Sequence, residues 1–183
     1  MTEQALCNAM RLHGGAVYRL ALCRTQNVAD AEDVYQDVFL RFFQQEAADW
    51  DSERTKAWLL RATVNRCADI HRFRLRRPVL SLEAIPELAR PDDDGSADRA
   101  RRAELWEAVG RLPAALRTAV HLYYAEGYST EEIAAMTDCP TATVRTRLRR
   151  ARMKLKDLLG GFDDEREQLS EADREYPRPR RAE

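Results

Sequence analysis

The sequence predicts an all-α protein, built as two small helical domains joined by a flexible linker, with a helix-turn-helix in the second domain. Apolar residues recur at three- and four-residue intervals, and no segment keeps the two-residue alternation of a half-buried strand. This pattern stops between residues 78 and 100, which contain three prolines, a glycine and a run of three aspartates. The length of 183 residues is sufficient for two small domains.

The first domain is predicted over residues 1–77 and is expected to contain three amphipathic helices. The apolar positions that define them are Leu6, Met10, Val17 and Leu20, then Val34, Val38 and Phe42, then Leu60, Val64 and Cys67. Each set follows the spacing of one helix face. We expect an interruption of the first helix at Gly14-Gly15, because glycine weakens a helix interior. The third helix is expected to end before Pro78.

The second domain is predicted over residues 101–160, after a linker over 78–100. Leu105 and Val109 begin its first helix, and Pro113 suits the first turn of the next. That second helix has the apolar stripe Leu116, Val120 and Tyr123, with Gly127 just past its end. The acidic tail over 161–183 contains too few apolar residues for a core and is predicted to be disordered.

A helix-turn-helix is predicted between Ser129 and Leu159. Ser129 and Glu132 have the spacing of a capping box, and a turn at Thr137-Asp138-Cys139 precedes a second helix that opens near Pro140. The second helix has a continuous apolar face, predicted to be buried, formed by Val144, Leu148, Ala151, Leu155 and Leu158. A short capped helix, a tight turn and a basic second helix are typical of proteins that read the DNA major groove.

The net charge of −1 hides two basic segments. Residues 61–77 contain six arginines against the single acid Asp69, and residues 141–156 contain seven cations and no acid. The acids cluster elsewhere, in the second predicted helix, the linker and the tail. A single basic segment is more often a solvated helix face, whereas two such segments in an acidic chain indicate two polyanion contacts.

Several kinds of site are not predicted. The four cysteines form no CxxC pair, and the three histidines add no metal-ligand spacing, so we expect neither a metal nor a cofactor. No nucleophile–base set, paired carboxylate or phosphate loop is found, so no catalytic residue is assigned and an enzyme is the least favoured class. Neither a signal peptide nor a membrane span is recognised, which favours a cytoplasmic protein.

Three segments together resemble the extracytoplasmic-function (ECF) group of bacterial RNA polymerase sigma factors. EEIAAMTDCPTATVRTRLRRARMKL, preceded by LPAALRTAVHLYYAEGYS, is similar to the helix-turn-helix that reads the promoter −35 element. DAEDVYQDVFLRFF resembles the family's polymerase-binding helix, and AWLLRATVNRCADIHRFRLRR its −10-recognition segment. The resemblance covers residues 15–77 and 101–159. It implies a transcription initiation factor that binds core RNA polymerase, directs it to promoter DNA and assists melting.

The resemblance also implies roles for individual residues. It implies that the two domains contact the clamp helices of the polymerase largest subunit and the polymerase flap. The residues implied to meet the clamp helices are Asp30, Glu32, Asp33, Gln36, Asp37 and Phe39. For Phe39, a simple core role is an equal alternative. Contact with the −10 element is implied for Trp58, Asn65, Arg66, Arg72, Arg74, Arg76 and Arg77, with a flipped base held by the loop at about residues 50–56. Trp58 could instead be a core aromatic.

For contacts with the −35 element, the resemblance and the chemistry of arginine indicate residues at the start of the second helix of the helix-turn-helix. Base contacts are expected from Arg145, Thr146, Arg149 and Arg150, and phosphate contacts from Thr143 and Arg147. The linker, with Asp92–Asp94, is implied to thread toward the polymerase active centre, or is a plain spacer. Two positions depart from the family pattern. Asp138 stands where glycine is common, and Tyr35 where a smaller aliphatic residue is common.

Two other functions remain open from the sequence. A stand-alone helix-turn-helix repressor or response-regulator-like protein would bind operator DNA without polymerase and would not need the acidic helix. A helical adaptor that sequesters a partner would not need Arg145 or Arg149. An anti-sigma factor is a further partner that the resemblance implies, and it could hold the protein at the membrane.

Overall fold

The computed structural model describes residues 2–45, 50–76 and 96–159, with the side chains of 74–76 and 96–102 excluded. Every regular element in these ranges is helical, as predicted. The helices are α1 (Glu3–Thr25), α2 (Val28–Phe43), α3 (Ser52–Arg76), α4 (Ser96–Gly110), α5 (Ala114–Val120), α6 (Thr130–Thr137) and α7 (Thr141–Leu158), and α5 continues into a π-helical turn (His121–Ala125). The chain forms two compact units, with α1–α3 in the first and α4, α5, α7 and the start of α6 in the second.

In the first unit, three helices pack around most of the apolar positions that the sequence predicts, whereas Met10 of the first predicted stripe is 36% exposed. Val17 and Leu20 of α1, Val34 and Val38 of α2, and Leu60 of α3 are fully buried. Asn27 begins α2 by accepting a hydrogen bond from the backbone N–H of Asp30 at 2.9 Å. Asp51 begins α3 in the same way, accepting from the N–H of Arg54 at 2.7 Å.

Helix α1 is continuous, so the predicted interruption at Gly14-Gly15 is wrong. Gly14 is needed for packing: a Cβ atom at this position would lie 2.8 Å from the Tyr35 hydroxyl oxygen. The ring of Tyr35 packs against those of Tyr18 and Phe39, with centroid separations of 6.5 and 4.8 Å. The unusual tyrosine and the glycine therefore fit one another where α1 meets α2.

The second unit contains a buried apolar stripe on α5 and the π-helical turn, and a buried arginine beside it. Leu116, Val120 and Tyr123 are buried, as predicted. The buried Arg117 donates from Nη1 to the Gly110 carbonyl oxygen at 2.6 Å, and so satisfies an acceptor at the end of α4. Of the two apolar residues predicted near the start of this domain, Val109 is buried and Leu105 is 43% exposed.

Helix α4 begins at Ser96, inside the segment predicted as linker. The predicted linker over 78–95, including Asp92–Asp94, and the tail beyond residue 160 lie outside the described residues. In the described ranges, no helix is long and apolar enough to cross a membrane.

Candidate nucleic-acid interface

The helix-turn-helix of α6 and α7 forms as the sequence predicts. The backbone N–H of Ser129 donates to Glu132 Oε2 at 2.8 Å, and the N–H of Glu132 donates to Ser129 Oγ at 3.2 Å, which is the reciprocal pattern of a capping box. Asp138 ends α6 in the left-handed conformation, with φ of 48°. The N–H of Cys139 then donates to the Ala134 carbonyl at 3.1 Å, which closes the turn.

Helix α7 is anchored by only part of its predicted apolar face. Val144, Leu148 and Ala151 have no exposed surface, Leu155 is half-buried, and Leu158 is 40% exposed. The prediction that Leu158 is buried is therefore wrong. Its apolar spacing continues to the end of α7, but the burial of these positions decreases from Ala151 to Leu158.

The predicted base-contacting residues share one exposed face of α7. Arg145 and Arg149, and likewise Thr146 and Arg150, are one helical turn apart, and all four are exposed. The two residues predicted to contact phosphate, Thr143 and Arg147, are half-buried. Arg147 donates from Nη1 to the Cys139 sulfur at 3.4 Å, across the turn. The face presents several guanidinium groups to solvent in a regular row, which suits a phosphate-lined groove.

Arg145 has a partner that the sequence did not indicate. Its Nη2 donates to Oε1 of Glu131 on α6 at 3.1 Å. The two residues are 14 positions apart in the chain, and only the angle between the two helices brings them together. No spacing rule for a single helix could have identified this contact.

In the first unit, predicted −10 contacts follow one stripe of α3. Trp58, Asn65 and Arg72 are each seven residues apart, so they lie on nearly the same side of the helix. Asn65 and Arg72 are exposed, and Arg72 pairs with Asp69 one turn earlier. The side chains of Arg74 and Arg76, and the whole of Arg77, lie outside the described residues.

Trp58 belongs to a half-exposed aromatic cluster rather than standing alone. Its ring centroid lies 5.6 Å from that of Phe42 and 6.1 Å from that of Trp50. The guanidinium of Arg54 lies over the Trp50 ring, 4.7 Å from its centroid. Trp58 and Trp50 are half-buried, so each keeps some ring surface toward solvent. Aromatic faces beside a cation can stack an unpaired base.

The residues predicted to contact polymerase divide into exposed and packed groups. Glu32, Asp33 and Gln36 are exposed on α2. Asp30 is half-buried. Phe39 is only 4% exposed, so of the two roles open from the sequence the structure shows the core role.

Asp37 faces α3 and forms an ion pair with Arg66, with Oδ2 to Nε at 2.5 Å. One residue predicted to contact polymerase and one predicted to contact DNA thus pair within the same unit. The sequence also missed Leu40, which is 59% exposed one turn beyond Gln36. Its signal was an apolar residue on an otherwise polar face.

The buried side of α3 carries a cysteine, Cys67, instead of the polar and basic residues of its exposed side. Burial raises the pKa of the Cys67 thiol to about 11, although the positive charge of Arg24 and its hydrogen bond with the thiol oppose that shift. Cys67 is therefore a protonated core thiol at neutral pH and not a nucleophile. Among the described residues, no group of three or more His, Cys, Asp or Glu side chains is placed to hold a metal ion.

Comparisons with known proteins match both units. The family model for sigma-70 region 2 matches residues 9–77, and the model for sigma-70 region 4 matches residues 102–155. ECF RNA polymerase sigma factor SigE of Mycolicibacterium smegmatis is 35% identical over 163 residues, which cover 85% of this chain and 62% of SigE. The chain therefore spans less than two thirds of the length of that relative.

Two further proteins agree with this match. ECF sigma factor SigM of Mycobacterium tuberculosis is 33% identical over 150 residues, which cover 82% of this chain and 74% of SigM. Among solved structures, the sigma factor RpoE in complex with the anti-sigma factor NepR from Bartonella quintana aligns with a TM-score of 0.67. That alignment has 26% identity and covers 86% of this chain and 96% of RpoE.

Proposed function

The chain belongs to the sigma-70 family, in its ECF group of RNA polymerase sigma factors, and on this premise we propose that it is a transcription initiation factor. It binds core RNA polymerase, directs it to promoters with −35 and −10 elements, and assists melting. The observation that carries the proposal is the exposed row of Arg145, Arg149 and Arg150 on α7, directly after a capped helix and a tight turn. Its chemistry suits base and phosphate contacts in the major groove.

The first unit supplies the other two contacts of the proposal. The exposed Glu32, Asp33 and Gln36 form an acidic surface for the basic clamp helices of the polymerase. Asn65, Arg72 and the cluster of Trp50 and Trp58 face the −10 element, where an opened strand offers bases for stacking. A stand-alone helix-turn-helix protein has no use for this unit, so the region 2 match argues against that alternative.

The protein has no catalytic chemistry of its own in this proposal, since the polymerase makes the RNA. We place it in the cytoplasm, where the polymerase works. An anti-sigma factor is its proposed regulator, because the RpoE structure is a complex with the anti-sigma factor NepR.

Transcription by reconstituted holoenzyme tests the proposal. Core polymerase with the full chain should transcribe specific members of a promoter library. The variant Arg149→Ala should lose preference at the −35 element, and Asp33→Asn should weaken binding to core. Glu3→Gln, which removes an exposed acid from the first turn of α1, serves as the control and should change neither. Absence of core binding and of any transcript would overturn the proposal.

A further inference from the structure

Glu131 contacts the DNA-reading helix from the helix before it. We propose that Glu131 is a positioning residue for Arg145, and that their ion pair sharpens base discrimination at one position of the −35 element. The inference rests on the proposed function, because it concerns how the same α7 face reads DNA. It adds an acidic residue on α6 to a site otherwise formed by arginines and threonines of α7.

The contact is direct and joins the two helices of the motif. Arg145 Nη2 donates to Glu131 Oε1 at 3.1 Å, and the side chains are 56% and 61% exposed. By comparison, Arg149 and Arg150 on the same face form no hydrogen bond or ion pair within the described part of the chain. Arg145 is therefore distinguished from its neighbours by a fixed partner.

Glu131 is itself held in place. The buried Thr130 hydroxyl donates to both carboxylate oxygens, at 3.0 and 3.1 Å. The backbone N–H of Glu131, the Thr130 hydroxyl and the Arg145 guanidinium together lower the pKa of the Glu131 carboxyl. The carboxylate is ionised at neutral pH and sits in the first turn of α6, where a negative charge is favoured.

A guanidinium so held can still read a base. Arginine has five N–H donors, so one contact with Glu131 leaves enough donors for the O6 and N7 acceptors of guanine. Fixing the long side chain beforehand reduces the entropy lost on binding. The carboxylate also repels phosphates, which disfavours binding to DNA of the wrong sequence. Both effects raise the ratio of specific to non-specific binding.

The test compares transcription from a selected promoter and from its single-base variants along the −35 element, using reconstituted holoenzyme. Wild type should prefer one base by about fivefold or more at the position that Arg145 reads, which is the discrimination of one bidentate pairing. Arg145→Ala should abolish that preference. Glu131→Gln should reduce it about threefold at the same position only, and should raise the affinity of the free chain for DNA of random sequence. The double variant should match Arg145→Ala.

A matched control is available in the same unit. Glu107 forms an exposed i,i+4 ion pair with Arg111 on α4, at 2.7 Å, and Glu107→Gln makes the same charge change outside the motif. It should leave every base preference unchanged. The inference is overturned if Glu131→Gln keeps the wild-type preference, if it changes all positions equally, or if it behaves as Glu107→Gln does. If wild-type holoenzyme transcribes no promoter, the proposed function itself fails.

Discussion

Because Gly14 has no side chain, α1 and α2 can approach each other closely at this position. Tyr35 occupies the space over Gly14, and its ring is confined by Tyr18 and Phe39. A methyl group at Gly14 must displace that ring, and overpacking of this kind costs about 1–3 kcal/mol. Alanine gains about 1 kcal/mol of helix propensity over glycine. Steric cost should therefore outweigh propensity at this position.

We expect Gly14→Ala to lower the free energy of unfolding by about 1 kcal/mol, measured by urea denaturation. Gly15→Ala is the control, because a Cβ there meets only the end of the Arg19 side chain, with Nη1 at 3.0 Å, and should stabilise by up to about 1 kcal/mol. In a Tyr35→Phe background, without the hydroxyl, the cost of Gly14→Ala should largely disappear. An equal cost in both backgrounds would contradict this explanation.

At the scale of elements, two helices end on a non-glycine residue in the left-handed conformation. Gln26 follows α1 with φ of 53°, and Asp138 follows α6 with φ of 48°. An L-residue other than glycine pays a steric cost in this region, which aspartate tolerates better than most. Asp138 therefore fulfils the role for which many ECF sigma factors use glycine, and the turn of the helix-turn-helix keeps its geometry.

Substitution at Asp138 tests the turn. We expect Asp138→Gly to raise the free energy of unfolding by up to about 1 kcal/mol, since it relieves the backbone. Asp138→Val should lower it by about 1–2 kcal/mol, because a β-branched residue disfavours positive φ. Thermal or urea unfolding of the full chain measures both changes. If the two variants have the same stability, the left-handed turn does not form.

At the scale of the whole molecule, the near-zero net charge is a cancellation between segments. The cations of residues 61–77 and 141–156 are balanced by acids elsewhere, including the tail beyond Gly161. A chain of net charge −1 attracts DNA less than its basic helices alone would. On the proposed function, we therefore expect promoter binding to depend on the assembled polymerase.

Removal of the acidic tail tests this balance. A chain that lacks Phe162–Glu183 should bind duplex DNA more tightly without polymerase, with the gain largest at low salt. Fluorescence anisotropy over a range of salt concentrations measures the change. A variant with the tail acids replaced by their amides should behave as the truncation does, which separates charge from length. Unchanged affinity in both would contradict the prediction.

The sequence by itself determined that the described chain is helical, most of its buried apolar positions and the helix-turn-helix. Capping at Ser129, the left-handed position at Asp138 and the buried Val144 and Leu148 all follow from short-range rules, because each depends on residues a few positions apart. The three matching segments were sufficient to identify the ECF group. The π-helical turn after α5 was not predicted, since it differs from an α-helix only in a shift of its hydrogen bonds.

Only the tertiary structure decided which side chains meet. Four features depend on contacts between different helices. They are the ion pairs Asp37–Arg66 and Glu131–Arg145, the burial of Phe39, and the fit of Tyr35 over Gly14. Such contacts depend on the angle and separation at which helices pack, and no local pattern encodes these quantities. The sequence therefore supplied the candidate residues for contacts with DNA and polymerase, while packing determined which of them are exposed and which are held by a partner.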